Sequence, residues 1–473
     1  MTKKDILLEG IRGGIALSLK ERIRLVLLLC GPAILAQVAS TLLQFIDASM
    51  VGSLGAGPSA SIGLVSTSTW LFGGFCMAIA QGFSVQVAHY IGANDFTAAR
   101  NVMRQGLLTV LAFSLALGTI GLVIAGPLPH WLGGEAAICD DAGAYFMIFS
   151  AFVPMMQITF FGATMLQCSG DMKIPALLDI LMCVLDVIFN FLLIFPTREM
   201  TMFGATFTMP GAGMGVRGAA LGTGIAETVT ALVMMYFLLV RNRELSIVGR
   251  KEAFTPSKSY FKKGWGITGP LWIQNLVMRG AYIASTLIVA PLGAVAIAAN
   301  SFAIIAESFC YMPGYGMADA ATTLVGQSLG ATSKSLARSF ANITLLMGIG
   351  MMVALAVVMY LLAGPIMGLL SVDAEVVRLG ARCLRLEAFA EAGYAASIVA
   401  FGACVGAGDT KIPTLLNFVS VWAVRIVLAI LLTPKYGLMG YWIAMCIELN
   451  VRGALFVGRI TGKRWMETKL TTT

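Results

Sequence analysis

Charge is scarce in this sequence. Only 12% of its 473 residues are Asp, Glu, Lys or Arg, and 58% are hydrophobic. A soluble domain spends about twice that charged fraction on its surface. A water-solvated globular fold is therefore excluded, and most of the chain must be solvated by lipid. Histidine is scarcer still: with only His89 and His130, a histidine-rich metal centre is excluded. The nine cysteines are odd in number and form no CxxC, and most (Cys30, Cys76, Cys183, Cys310, Cys446) lie in apolar runs. They read as small buried residues, neither disulfides nor ligands. HExxH, GxSxG and Walker motifs are missing, which removes the usual enzyme signatures and any drive by the chain's own ATP hydrolysis. The opening stretch MTKKDILLEGIRGG has no apolar h-region followed by a small-residue cleavage site. A cleaved signal peptide is not expected there, and a short cytoplasmic helix is.

What is present is a series of apolar runs, each too long for a strand. They predict helices near 23–51, 62–89, 99–125, 141–166, 175–195, 217–240, 264–290, 297–328, 337–363, 374–403, 413–433 and 437–460. A membrane-spanning helix needs about 20 apolar residues, so the expected fold class is an all-α polytopic membrane protein with twelve spans. Basic residues test that count, because cytoplasmic loops collect Lys and Arg. Of 32 basic residues, 23 fall in the N-terminal segment and alternate loops, and only Arg198, Arg217 and Lys435 fall in the opposite loops. The other six (Arg279, Arg378, Arg382, Arg385, Arg425, Arg452) lie within helices. Both termini are expected in the cytoplasm. The net charge of +8 is a topology signal, and no nucleic-acid partner is expected.

The two halves repeat. Gly31-Pro32 recurs as Gly269-Pro270, and Leu54-Gly55-Ala56 as Leu292-Gly293-Ala294. Ile91-Gly92-Ala93 recurs as Leu329-Gly330-Ala331. Gly170-Asp171-x-Lys173-Ile174-Pro175 recurs as Gly408-Asp409-x-Lys411-Ile412-Pro413. Every pair is 238 residues apart, and Gly215-x-x-Gly218 then matches Gly437-x-x-Gly440 at 222, so the first half carries extra residues in the 196–216 loop. Six helices is an even number, so both halves enter the membrane alike and form a parallel repeat. The expected organisation is a cytoplasmic segment 1–22, an N-lobe 23–241, a cytoplasmic connector 242–262, a C-lobe 263–461 and a cytoplasmic tail 462–473. The Gly-Asp-x-Lys-Ile-Pro loops read as cytoplasmic turns that start a helix at proline, with a coupling role as the alternative.

At these residues the chain resembles the multidrug and toxic compound extrusion (MATE) family, over roughly 20–460. The features are Pro32 with Asp47-x-x-Met50-Val51-Gly52, Gln167-Cys168-Ser169-Gly170-Asp171 with Pro175, Gly326-Gln327-x-x-Gly330-Ala331, and Gly406-Ala407-Gly408-Asp409 with Pro413. The resemblance implies a V-shaped pair of six-helix lobes. It implies secondary antiport, in which small organic, often cationic, compounds leave the cell while protons or sodium ions enter. It also implies that the helix-one aspartate and an Asn-x-x-x-Asp pair on helix five form a cation site. Asp47 matches the first, but helix five here reads Asp186-x-x-x-Asn190, with the order reversed.

Charges inside a membrane helix are costly unless paired or hydrated, so an intramembrane carboxylate is a functional candidate. On helix five, Asp179, Asp186 and Asn190 share one face, with Asp186 about 16 Å and Asn190 about 22 Å from the helix start. Asp47, Asp186, Asn190 and Asp179 are the candidate cation-coupling residues, with a proton or a sodium ion shared by Asp47 and Asp186. A hydrogen-bonded knot locking helices one and five is the structural alternative. Their C-lobe counterparts are Ser285 for Asp47, Asn417 for Asp179, Val424 for Asp186 and Leu428 for Asn190, so the site is not duplicated. Candidates for the substrate cleft are Gln44, Glu227, Asn300, Glu307, Tyr311 and Glu391. Glu307 serves equally as a partner for Arg279. Glu387 and Glu391 are expected on one helix face, in an ion-pair network with Arg378, Arg382 and Arg385. Arg425 requires an acidic partner, and Glu448 with Arg452 reads as an i,i+4 pair. Catalytic residues, bound cofactors and resident metals are not expected. The expected surroundings are a plasma membrane, small-molecule organic substrates and a monomeric chain. The alternative function is a flippase for lipid-linked saccharides of the same superfamily.

Overall fold

The structure is a computed structural model that describes residues 3–202, 205–250, 253–468 and 470. Lys251 of the connector, and Lys469 with residues 471–473 of the tail, lie outside the described residues. The chain is almost entirely helical. A short amphipathic helix α1 (Lys3–Arg12) precedes α2 (Leu19–Gly52), α3 (Ala56–Gly92), α4 (Phe96–Ile124), a single turn α5 (Leu128–Trp131), α6 (Ala136–Cys168) and α7 (Lys173–Ile194). After a hairpin, α8 (Gly215–Tyr236) runs into a π turn, Phe237–Arg241. Then come α9 (Lys258–Val289), α10 (Ala294–Gly330), α11 (Lys334–Leu370), α12 (Ala374–Glu387), α13 (Glu391–Gly406), α14 (Lys411–Val419), α15 (Val427–Tyr436) and α16 (Leu438–Thr461).

Among the described residues, ten helices are long and apolar enough to cross a membrane, counting α14 and α15 as one span. The bent pair α12 and α13 makes an eleventh. The fold is therefore that of a multi-pass membrane protein. The helix Leu438–Thr461 is 24 residues long, but Glu448, Asn450 and Arg452 interrupt its apolar middle. Two expectations are corrected. The run 374–403 is not one helix: it bends by 60° at residues 388–390, so Glu387 and Glu391 end one helix and begin the next. The extra residues of 196–216 are not plain loop. They form an antiparallel hairpin, β1 (Pro196–Met202) with β2 (Ala205–Ala212).

The repeat is visible in the backbone. Asn94 and its mate Thr332 both adopt left-handed conformations, at φ 59° and 60°. The next residues, Asp95 and Ser333, both cap a helix with their side chains, which satisfies an otherwise orphaned N–H. Gly170 and Gly408 turn at φ 90° and 77°, where a side chain would be strained. Terminal segments cover both of these glycines. Leu8 of α1 packs on Gly170, and Leu470 of the tail packs on Gly408. A second π turn, Ser420–Ile426, joins α14 to α15.

The first helix of each half lies along the other half. The helix α2 packs on α10, and α9 packs on α3. At the end bearing the basic loops, α3 and α10 cross closely at Gly92 and Gly330. A Cβ at either position would collide with the backbone of Gln327 or His89 on the facing helix. Two further mates fasten this end. His89 Nε2 lies 2.9 Å from the Gly406 carbonyl, and Gln327 Nε2 donates to the Cys168 carbonyl at 2.8 Å. Residues 89 and 327, and residues 168 and 406, are again 238 apart. Each bond reaches from one half to the other, so this end is closed by a symmetric pair of clasps.

Candidate functional site

The structure brings three of the four coupling candidates together. Asp47 comes from α2, and Asp186 and Asn190 come from α7. The Asn190 amide donates to Asp47 Oδ1 at 3.1 Å and to Asp186 Oδ2 at 2.9 Å. Asp186 is fully buried and Asn190 is 1% exposed. The side-chain oxygens Asp186 Oδ1 and Asn190 Oδ1 have no hydrogen-bond partner, which is unusual for buried polar atoms. Gly222 on α8 makes the packing feasible, because a Cβ there would collide with the Asn190 side chain. The reversed order of acid and amide on α7 thus keeps a two-carboxylate, one-amide site.

Chemically, the triad offers carboxylate oxygens to a proton. It also offers the carboxylate oxygens of Asp47 and Asp186, hard donors of the kind alkali and alkaline-earth cations take, while the Asn190 amide turns its N–H groups to them and its carbonyl toward Gly222 on α8. Among the described residues, no group of three or more His, Cys, Asp or Glu side chains is arranged to hold a metal. A cation here would rest on Asp47 and Asp186, in place of the amide N–H groups of Asn190 that now bridge them.

Asp179 stands apart from the triad. Two turns closer to the basic end of α7, it lies in electrostatic reach of Glu227 and of Asp319 on α10. Glu227 faces Thr159 and lines a small pocket of about 60 Å³ with Tyr145, Phe152 and Thr223. Gln44 is exposed on α2. Asn300 accepts a hydrogen bond from the Trp442 indole at 3.0 Å, so its carbonyl ties α10 to α16.

The second half gathers its own acids. Glu307 is buried on α10 and shares electrostatic contact with Glu387 and Glu391. Both of those glutamates are fully buried; Glu391 faces the Cys310 thiol, and neither carboxylate is paired with a basic side chain among the described residues. The expected ion-pair network with Arg378, Arg382 and Arg385 is absent among the described residues. Arg378 pairs with Glu375 on the surface at 3.3 Å, and Arg382 and Arg385 are exposed. The bend at 388–390 carries the two glutamates inward, away from those arginines. The nearby positive charges are Arg425 and Arg452, both held by Glu448 at 2.6 and 2.8 Å. The required acid partner of Arg425 is therefore Glu448. Arg279 makes no ion pair with Glu307; its guanidinium lies 5.2 Å from the centre of the Trp70 ring. Tyr311 packs against Tyr315 and Tyr394, with ring centres 6.2 and 5.2 Å away.

Asp319 was not singled out from sequence. It lines a cavity of about 250 Å³ enclosed by both halves. Two signals mark it: a carboxylate in an apolar run, and a repeat mate, Gln81, that is also polar.

Comparison with known proteins agrees with this frame. The family model MatE matches the chain twice, over residues 32–192 and 270–431. The second match begins 238 residues after the first, which is the offset of the repeat. A probable multidrug resistance protein NorM from Chromobacterium violaceum is 26% identical over 450 residues, covering 92% of this chain and 93% of the relative. Another, from Thermotoga maritima, is 25% identical and covers 94% and 93%. Among solved structures, a Vibrio cholerae MATE transporter, VcmN, superposes with a TM-score of 0.86 at 17% identity, over 96% of this chain and 99% of that one. A MOP superfamily transporter from Pyrococcus furiosus superposes at 0.85 with 20% identity, covering 97% of this chain and 98% of that one. Two matches of one family model, in the register of the repeat and spanning most of the chain, establish its membership: this chain belongs to the MatE family.

Proposed function

We propose that this protein is a multidrug efflux transporter: a secondary antiporter that exports small organic, often cationic, compounds in exchange for protons or sodium ions. The observation that carries the reading is the Asp47–Asn190–Asp186 triad, in which Asp186 and Asn190 are buried, Asp47 is half-buried, and Asp186 Oδ1 and Asn190 Oδ1 lack a well-formed hydrogen bond. A group that must take up and release a cation needs open donor capacity inside the membrane. A purely structural knot would consume it, because an unmade buried hydrogen bond costs about 1–3 kcal/mol. The names of the NorM relatives support the multidrug part.

The architecture proposed is twelve spans in two six-helix lobes related by a parallel repeat, with Leu438–Thr461 as the twelfth span and both termini in the cytoplasm of a plasma-membrane-embedded monomer. The duplicated turns and the reciprocal packing of α2 on α10 and α9 on α3 support it. Coupling is assigned to Asp47, Asp186 and Asn190, with Glu227 in electrostatic reach of Asp186 and Asp179 two turns nearer the basic end. Glu307, Tyr311 and Glu391 remain cleft candidates on the C-lobe side, and Gln44 and Asn300 are candidates near the other end. No covalent chemistry is involved. With the basic end closed by the His89 and Gln327 clasps, alternating access would open that end as the opposite end closes.

The test is transport in vesicles. A proton or sodium gradient imposed across vesicles containing the protein should drive uptake or loss of a cationic dye. Failure of both gradients to move the dye refutes the reading.

A further inference from the structure

We infer that Asp319 is the anchor for the positive charge of the transported compound, in the cavity shared by the two halves. The inference rests on the proposed export of organic cations and adds the residue that selects them.

The cavity has a volume of about 250 Å³. Its walls come from both halves: Gln37 on α2 and Gln81 on α3 face Gln274 on α9, Tyr315 and Asp319 on α10, and Tyr394 on α13. Asp319 lies eleven residues from the end of α10 at Gly330, hence about 16 Å along a helix about 55 Å long.

Its charge has no counter-ion among the described residues. The side chain facing it is the neutral amide of Gln37. Arg452 also lines the cavity, but its guanidinium is bound to both oxygens of Glu448, at 2.8 and 3.0 Å. Asp319 is thus the one ionisable wall group whose charge no neighbour neutralises. Aromatic side chains share the cavity wall with it: Tyr315, one turn away on α10, and Tyr394 and Phe401 on α13. A carboxylate flanked by aromatic rings is the arrangement that holds an organic cation, through Coulomb attraction and the ring quadrupoles. A second, water-sized pocket of about 20 Å³ also touches Asp319, with Ser84, Thr164 and Gln167 in its lining.

The repeat argues against a structural need for the charge. The mate of Asp319 is Gln81, which occupies the same level of α3 and lines the same cavity. The frame is satisfied there by a neutral amide. The negative charge at 319 is an addition to the fold, placed where the two halves meet.

The test uses the full-length protein, with ethidium as the cation. In purified protein, Asp319→Asn should weaken ethidium binding about tenfold or more, the worth of one hydrogen bond to a charged group. In vesicles it should raise the KM for gradient-driven ethidium flux by the same factor and leave the flux at saturation within about twofold of wild type. Asp319→Glu, which keeps the charge, should restore binding to within about threefold, and it reports on the charge even if Asp319→Asn folds poorly. Unchanged binding in Asp319→Asn, or loss of binding in a folded Asp319→Glu, overturns the assignment. A lowered saturating flux with unchanged KM also overturns it, since it would mark Asp319 as a coupling or structural group. Wild-type protein that binds ethidium but moves it under neither gradient refutes the proposed antiport instead, while the binding arm still judges Asp319.

Discussion

Gln327 and His89 provide the sharpest mechanical prediction. Each closes the basic end by reaching a carbonyl of the opposite half, Cys168 and Gly406 respectively. In Gln327→Met the side chain keeps its length and loses its donor. The Cys168 carbonyl is then left unpaired in the closed form, at a cost of about 1–3 kcal/mol. Opening that end relieves the cost, so the closed-to-open ratio should fall by about 5- to 150-fold, since each 1.4 kcal/mol is tenfold. Cys168 is 4% exposed in the closed form, which makes it a reporter. With the other cysteines replaced, its labelling by a membrane-impermeant maleimide added from the basic side should accelerate by a comparable factor. His89→Gln should be nearly neutral, because an amide already does the same work at the repeat mate. If Gln327→Met leaves labelling unchanged, or if His89→Gln opens the end as fully as Gln327→Met, the clasp argument is wrong.

Other consequences follow from buried contacts. Arg452→Met removes two hydrogen bonds from the fully buried Glu448 and should destabilise the protein by about 3–5 kcal/mol, read as lower thermal stability in detergent. Gly222→Ala should displace the Asn190 side chain and cut gradient-driven dye flux at least about tenfold with little change in expression, tested by vesicle transport, because α8 has to approach α7 closely there. Leu8→Asp places a charge in the core where Leu8 is 3% exposed, and it should lower the unfolding temperature more than Ile6→Asp, whose side chain is 56% exposed.

Much of the frame was legible because it is written in turns and periods. Glycine, proline and basic residues mark helix ends, and the 238-residue offset carries through to backbone angles at Asn94 and Thr332. The triad was legible in part, since Asp186 and Asn190 share a helix face and Asp47 lies on the neighbouring helix. Its internal bonding was not, because which of two carboxylates an amide bridges depends on how α2 packs on α7. The bend between Glu387 and Glu391 falls in Ala388-Phe389-Ala390, which contains no proline or glycine. No residue type there announces it, and beyond it the arginines expected beside those glutamates lie on the surface. Asp319 escaped for a different reason. It sits in a run of small residues outside every motif, and its meaning comes from a cavity that only the paired halves create. The buried Glu387 and Glu391, with no basic side chain paired to them among the described residues, show the same limit.

The central claim is that cation movement through the Asp47–Asn190–Asp186 triad drives export. The most direct measurement is substrate-driven ion flux in vesicles. Ethidium moving down its own gradient should carry protons or sodium ions the opposite way through wild-type protein. Asp47→Asn and Asp186→Asn should abolish that ion flux while the folded protein still binds ethidium. Ion flux of wild-type size in both variants would contradict the account and reduce the triad to a structural knot.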